Sequence, residues 1–198
     1  MSIEKTLNVQ KRAGLGKGPN RRLRAEKVIP GVFYTANGEN VPVQVPSLPL
    51  EKLYSEVGRT TVFNLTINDN GATSTHPVLV WDAQYHPYKS EFTHIDFYGV
   101  DLDKPVKINV AVEFQGTARG VKLGGRMETY REKVTLISLP LNMPKKIVVD
   151  VSDMGINNTI RVADLQLPEG VSAAYDKNFA IVSVISKTDE AEEGEAEA

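Results

Sequence analysis

The chain has 198 residues, 41% of them hydrophobic, and no cysteine, which excludes disulfides, thiolate catalysis and cysteine-based zinc sites. One large core or two small ones can be buried, since domains commonly run to about 100 to 150 residues. The formal net charge of −2 hides an asymmetry: residues 1–27 hold eight Lys or Arg against two Glu, whereas residues 189–198 hold six acids and no base.

The N-terminus, MSIEKTLNVQKR, has no apolar stretch of signal-peptide length before its charges, and no run approaches the roughly 20 apolar residues of a membrane span. A soluble, cytoplasmic protein is expected. TLNV reads as a strand, and the glycine-punctuated basic loop after it leads into a short helix, with Pro19 in an early position and RRLRAEK supplying helix formers before Pro30 stops it. PGVFYT and VPVQVP read as strands. LPLEKLYSEVG is an amphipathic helix with Leu50, Leu53, Tyr54 and Val57 at helical spacing. TVFNLTI is a strand, NDNG at 68–71 a hairpin turn, and PVLVWDAQYHPYK and FTHIDFYGV complete about six strands by residue 98. A barrel with helices across its ends fits, because a small β unit must hide its edges.

Beyond VDLDKP the texture becomes almost purely strand-like: VKINVAVEF, KVTLISL, KIVVDV, TIRVADL and NFAIVSVIS are each bounded by turn formers. The expected fold is mainly β with a few short helices, a six-stranded β-barrel domain over 1–99 followed by a β-rich domain over 100–187. The acidic segment 188–198 has nothing to bury and reads as a disordered tail.

Lys11 to Arg24 carries six bases and no acid in 14 residues. Gly14, Gly16 and Gly18 allow close backbone approach to a phosphate, while Arg12, Lys17, Arg21, Arg22 and Arg24 supply charge, the arginines as forks that clasp phosphate or stack on a base. A solvated basic loop is the plainer alternative. A nucleotide-cradling loop fails on spacing, because Gly18 follows Lys17 directly. His94 and Asp96 share one face of a strand, over Ile95 and Phe97 on the other, as an exposed recognition strand over a core would. His76 and His86 add no convincing metal set, with His86 beside Pro87 reading as a turn, and Asp150, Asp153 and Asp164 occupy ordinary turn contexts. No metal, cofactor, small-molecule substrate or catalytic group is expected. Trp81, Phe92, Phe97 and Tyr98 read as core, and Tyr85 and Tyr88 as outward aromatics able to stack on a base.

Several ordered blocks together carry a family resemblance. GKGPNRRLR, IPGVFY and QYHPYKSEFTHIDF resemble the bacterial large-subunit ribosomal protein number twenty-five, and FQGTARGVKLGGRME with LPLNMPKKIVVDVSDMGINNTIRVADLQLPEGV is similar to the C-terminal domain of its long, Ctc-type form. The resemblance spans about residues 3–186. It implies a non-enzymatic component of the large ribosomal subunit whose N-terminal barrel binds 5S ribosomal RNA at a widened minor groove, with other ribosomal proteins as neighbours. The alternative within the family is a loosely bound, stress-associated ribosome factor. By the same resemblance the RNA contacts fall on Arg12, Lys17, Asn20, Arg21, Arg22 and Arg24 in the basic block, and on Gln84, His94 and Asp96 in the strand pair. Two positions depart from the family: Tyr85 replaces a usual arginine, so that stacking takes over there from a salt link or base contact, and Thr35 replaces a glycine after the IPGVFY block.

Overall fold

The computed structural model describes residues 5–35, 38–69 and 71–186. The acidic segment 188–198, and Asn70 of the expected NDNG turn, lie outside the described residues. Two compact units are present. The first runs through Val106 and takes in Leu139–Met143; the second comprises Lys107–Ser138 and the chain from Pro144. No helix among the described residues is long and apolar enough to cross a membrane.

The first unit contains six strands: β1 (Thr6–Lys11), β2 (Val28–Tyr34), β3 (Asn40–Pro46), β4 (Phe63–Asp69), β5 (Ala72–Tyr85) and β6 (Phe92–Gly99). They close into a barrel in the order β1-β3-β2-β6-β5-β4, the expected six-stranded architecture. Closure is made by a parallel pairing of β1 with β4, from Thr6 opposite Asn64 to Gln10 opposite Asn68, which leaves no open edge. Alternation fills the interior: Leu7 and Val9, Ile29 and Phe33, Val43 and Val45, Phe63 and Leu65, and Ile95 and Phe97 are all buried. Phe63 and Phe97 meet edge to face at 6.0 Å, at the centre of this core.

Helix α2 (Ser47–Val57) lays Leu50, Leu53 and Val57 on the barrel core, as the i, i+3, i+7 spacing predicts. It stops at Gly58, which takes φ +65°. Helix α1 (Lys17–Ala25) packs against β2. Pro30 does not end it. The helix closes earlier, where Lys27 adopts a left-handed φ of +58°, and Pro30 lies inside β2. The strand tolerates this proline because pairing with β6 begins only at Gly31, so Pro30 sits where that edge has no ladder. At Gly31 itself the strands approach so closely that a Cβ would stand 2.6 Å from the Ile95 carbonyl oxygen.

The second unit is also β-rich. It holds β7 (Val106–Gln115) from Lys107 on, a one-turn helix α3 (Arg119–Lys122), β8 (Arg126–Thr129), β9 (Lys133–Ser138), β10 (Lys146–Asp150), β11 (Thr159–Arg161), β12 (Ser172–Ala173) and β13 (Ala180–Ile185). These form two sheets, ordered β10-β7-β9-β12 and β11-β13-β8. Four of the five expected strands run much as read. TIRVADL keeps only Thr159–Arg161 as strand, because a 3₁₀ turn over Val162–Asp164 follows, fastened by the Arg161 N–H donating to Asp164 Oδ2 at 2.9 Å. β8 and β12 are additions to the reading: β8 is mostly exposed and β12 two residues long, so neither has a buried face to give it a period.

Candidate nucleic-acid interface

Helix α1 buries none of its residues. A nine-residue helix has little stability in water by propensity alone, so something else must hold it. Its packing on β2 does so, together with two side-chain bonds. Arg24 Nε donates to the Thr93 carbonyl on β6 at 3.0 Å, and the Arg12 guanidinium, at the end of β1, donates to Asn20 Oδ1. Lys17, Arg21 and Arg22 are left on the open surface.

Arg12 departs from the expectation of a freely presented phosphate ligand. It is only 9% exposed, its Nε has no hydrogen-bond partner among the described residues, and its guanidinium is committed to Asn20. Burial, and then the nearby charge of Arg24, hold its pKa below the ordinary arginine value. Arg12 and Asn20 thus form an internal strut under α1, while Lys17, Arg21, Arg22 and Arg24 make the exposed positive surface.

The β5/β6 ribbon supplies the other half. Val80 pairs with Phe97 and Asp82 with Asp96, which leaves Trp81 as the extra residue of a β-bulge. The bulge changes the phase of β5. Under strict alternation with Val80 inward, Asp82 would follow it into the barrel; instead Ala83 is buried, and Asp82 and Gln84 face outward opposite Asp96 and His94. A second irregularity leaves Thr93 unpaired between Gln84–His94 and Tyr85–Phe92. Thr93 is put to use: its carbonyl receives Arg24, and its hydroxyl donates to the Gln84 carbonyl at 3.2 Å. The basic helix and the strand face bearing Gln84, His94 and Asp96 are therefore fastened side by side.

Asp96 is the least comfortable group on this face. Its side chain is 15% exposed, and Oδ1 has no hydrogen-bond partner among the described residues; His94 Nδ1 stands 3.5 Å away, too long for a well-made bond. Burial raises the Asp96 carboxyl above the ordinary aspartate value, His94 draws it down and the facing Asp82 pushes it up. Asp82 has its own cation, with Arg59 Nη2 donating to Oδ1 at 2.8 Å.

Tyr85 is 49% exposed, and its ring leans on Phe92 at 4.7 Å with Tyr54 edge-on behind it. Burial and the hydrogen bond with Tyr54 raise its hydroxyl pKa, so it stays protonated. Tyr88 is almost fully exposed, also as expected. Trp81 corrects the reading: at 56% exposed it is not core, because the extra residue of a bulge is turned out of the ladder. Phe92 and Phe97 are core, and Tyr98 is half-buried beside Trp81.

The histidines keep separate company. His76 stacks at 5.2 Å on Phe33, His86 Nδ1 accepts the Tyr88 N–H in a turn, and His94 stands by Asp96. The Arg59–Asp82 pair and the role of Thr93 escape sequence reasoning, because both depend on where the bulges fall.

Known proteins match the chain along nearly its whole length. Residues 7–97 match the model of the ribosomal L25p family, and residues 105–188 match the C-terminal domain of ribosomal protein TL5. Over 194 residues the chain is 67% identical to a large ribosomal subunit protein bL25 of Desulfovibrio desulfuricans, covering 98% of each chain. It is 60% identical to the bL25 protein of Nitratidesulfovibrio vulgaris over 96% of this chain and 100% of the other, and 60% identical to that of Lawsonia intracellularis over 91% and 92%.

Proposed function

We propose, from the premise that this chain belongs to the bL25 family of large ribosomal subunit proteins, that its barrel binds 5S ribosomal RNA through helix α1 and the outward face of the β5/β6 ribbon. The protein is a structural, non-enzymatic component of the large subunit and resides with the ribosome in the cytoplasm. We place RNA binding in residues 1–99 and assign 100–187 to the β-rich C-terminal domain.

The observation that carries the site is the Arg24–Thr93 bond, which joins the exposed cations of α1 to the polar strand face as one continuous surface. Lys17, Arg21 and Arg22 hold phosphates and set the register, a task that requires charge but no base recognition. Gln84, His94 and Asp96 read base edges or 2′-hydroxyls in the wide, shallow minor groove of RNA. Gln84 is exposed, and the side chains of His94 and Asp96 stay 24% and 15% exposed on the same face, which leaves this face open to RNA donors and acceptors.

Replacing Arg21 or Arg22 by Ala should weaken binding to 5S RNA and reduce the slope of log affinity against log salt by about one unit. Gln84→Ala should instead erode selectivity for 5S over transfer RNA with little change of slope. Filter binding across a salt series distinguishes the two, and the opposite pattern would overturn this division of labour.

A further inference from the structure

We infer that Trp81, backed by Tyr98, is a stacking platform for one unpaired RNA base at the edge of the interface, an inference that rests on the RNA-binding reading above. Trp81 is the only tryptophan in the chain and is more than half exposed. Its exposure is built in by the backbone: as the extra residue of the bulge it stands outside the β5/β6 ladder. Tyr98, two residues beyond Asp96 on the same face of β6, lies against it with ring centroids 5.3 Å apart and planes at 44°, which props the indole and leaves its free surface to solvent.

A large exposed aromatic could equally receive a protein side chain. The surroundings argue otherwise. The centre of a protein interface is depleted of charge, whereas Trp81 is followed directly by Asp82, which Arg59 pairs, and Asp82 faces Asp96 across the ribbon. An indole among polar groups, adjoining a face that meets RNA edges, suits a splayed-out base, which needs an apolar plane and polar flanks together. Such stacking is tolerant of base identity, so the platform adds affinity and orientation rather than sequence choice.

The test uses the full chain, because the lone tryptophan reports on itself. Intrinsic emission should be quenched on titration with 5S ribosomal RNA. Trp81→Ala should weaken binding about ten-fold with the salt slope unchanged, and Trp81→Phe should restore most of the loss. Selective 5S binding with unaltered Trp81 emission and full affinity in Trp81→Ala would overturn the platform while leaving the RNA-binding reading intact, and would assign the aromatic pair to a protein neighbour. Absence of selective 5S binding by the unmodified chain would defeat the RNA-binding reading, and the platform with it.

Discussion

Asp96 shows how a single residue on the proposed RNA face can be poorly placed for folding. Its folded-state pKa is raised, mainly by burial, so over the window between the ordinary aspartate value and the raised one the native state holds more protons than the unfolded chain. Stability contributed at this site is accordingly present in acid and lost as pH rises through that window. Asp96→Asn should raise the thermal midpoint at neutral pH, and the gain should shrink in acid, where wild-type Asp96 is itself protonated; 5S selectivity should fall in the same variant. A midpoint lowered at neutral pH would contradict this assignment of strain. Gly31 is a residue of the opposite kind, wholly structural. With the Ile95 carbonyl 2.6 Å from any added Cβ, Gly31→Ala should destabilise the barrel by roughly 1 to 3 kcal/mol, read by urea unfolding. The outward placement of His94 and Asp96 over Ile95 and Phe97 could be read from alternation alone. The burial of Arg12 could not, because a guanidinium in a basic run looks the same in sequence whether it faces solvent or braces a helix.

At the scale of elements, two irregularities in one strand pair decide the interface. The bulge at Trp81 rephases β5, and the one at Thr93 presents the carbonyl that anchors α1. Neither carries a sequence signal: PVLVWDAQY reads as one apolar-rich run in which nothing marks Trp81 as the extra residue, and nothing in FTHIDFYG marks Thr93. Helix α2 was legible for the contrary reason, as its packing follows a single uninterrupted period. Pro30 is a strong general stop signal, yet the actual stop of α1 is a left-handed Lys27, a conformation that lysine does not advertise. Arg24→Ala should release α1 from β6. With a hydrogen bond from a charged group worth about 1.5 to 3 kcal/mol, amide exchange across residues 17–25 should accelerate about ten-fold or more, and 5S affinity should drop further than in Arg21→Ala. Equal losses in the two variants would mean that Arg24 acts as a phosphate ligand and no more.

For the whole molecule, the near-neutral total charge is a poor guide and its distribution a good one: a basic N-terminal block stands on the barrel, and the six acids of 189–198 account for the overall balance. The sequence shows two textures, alternating strands with helices in the first half and short bounded strands beyond residue 100, whereas the compact units divide between Val106 and Lys107 and Leu139–Met143 belongs with the first. Barrel closure is legible only as a class, because the parallel β1/β4 pairing joins segments too far apart in sequence for local pattern to register. The central claim is that the barrel surface assembled from α1 and the β5/β6 ribbon recognises 5S ribosomal RNA, and one measurement tests it most directly: binding of the full chain and its Arg21→Ala/Arg22→Ala variant to 5S RNA across a salt series, with transfer RNA as competitor. Selective wild-type binding whose salt slope falls by about two units in the double variant is the predicted result. Equal competition by transfer RNA, or a variant that binds with unchanged affinity and slope, would contradict it.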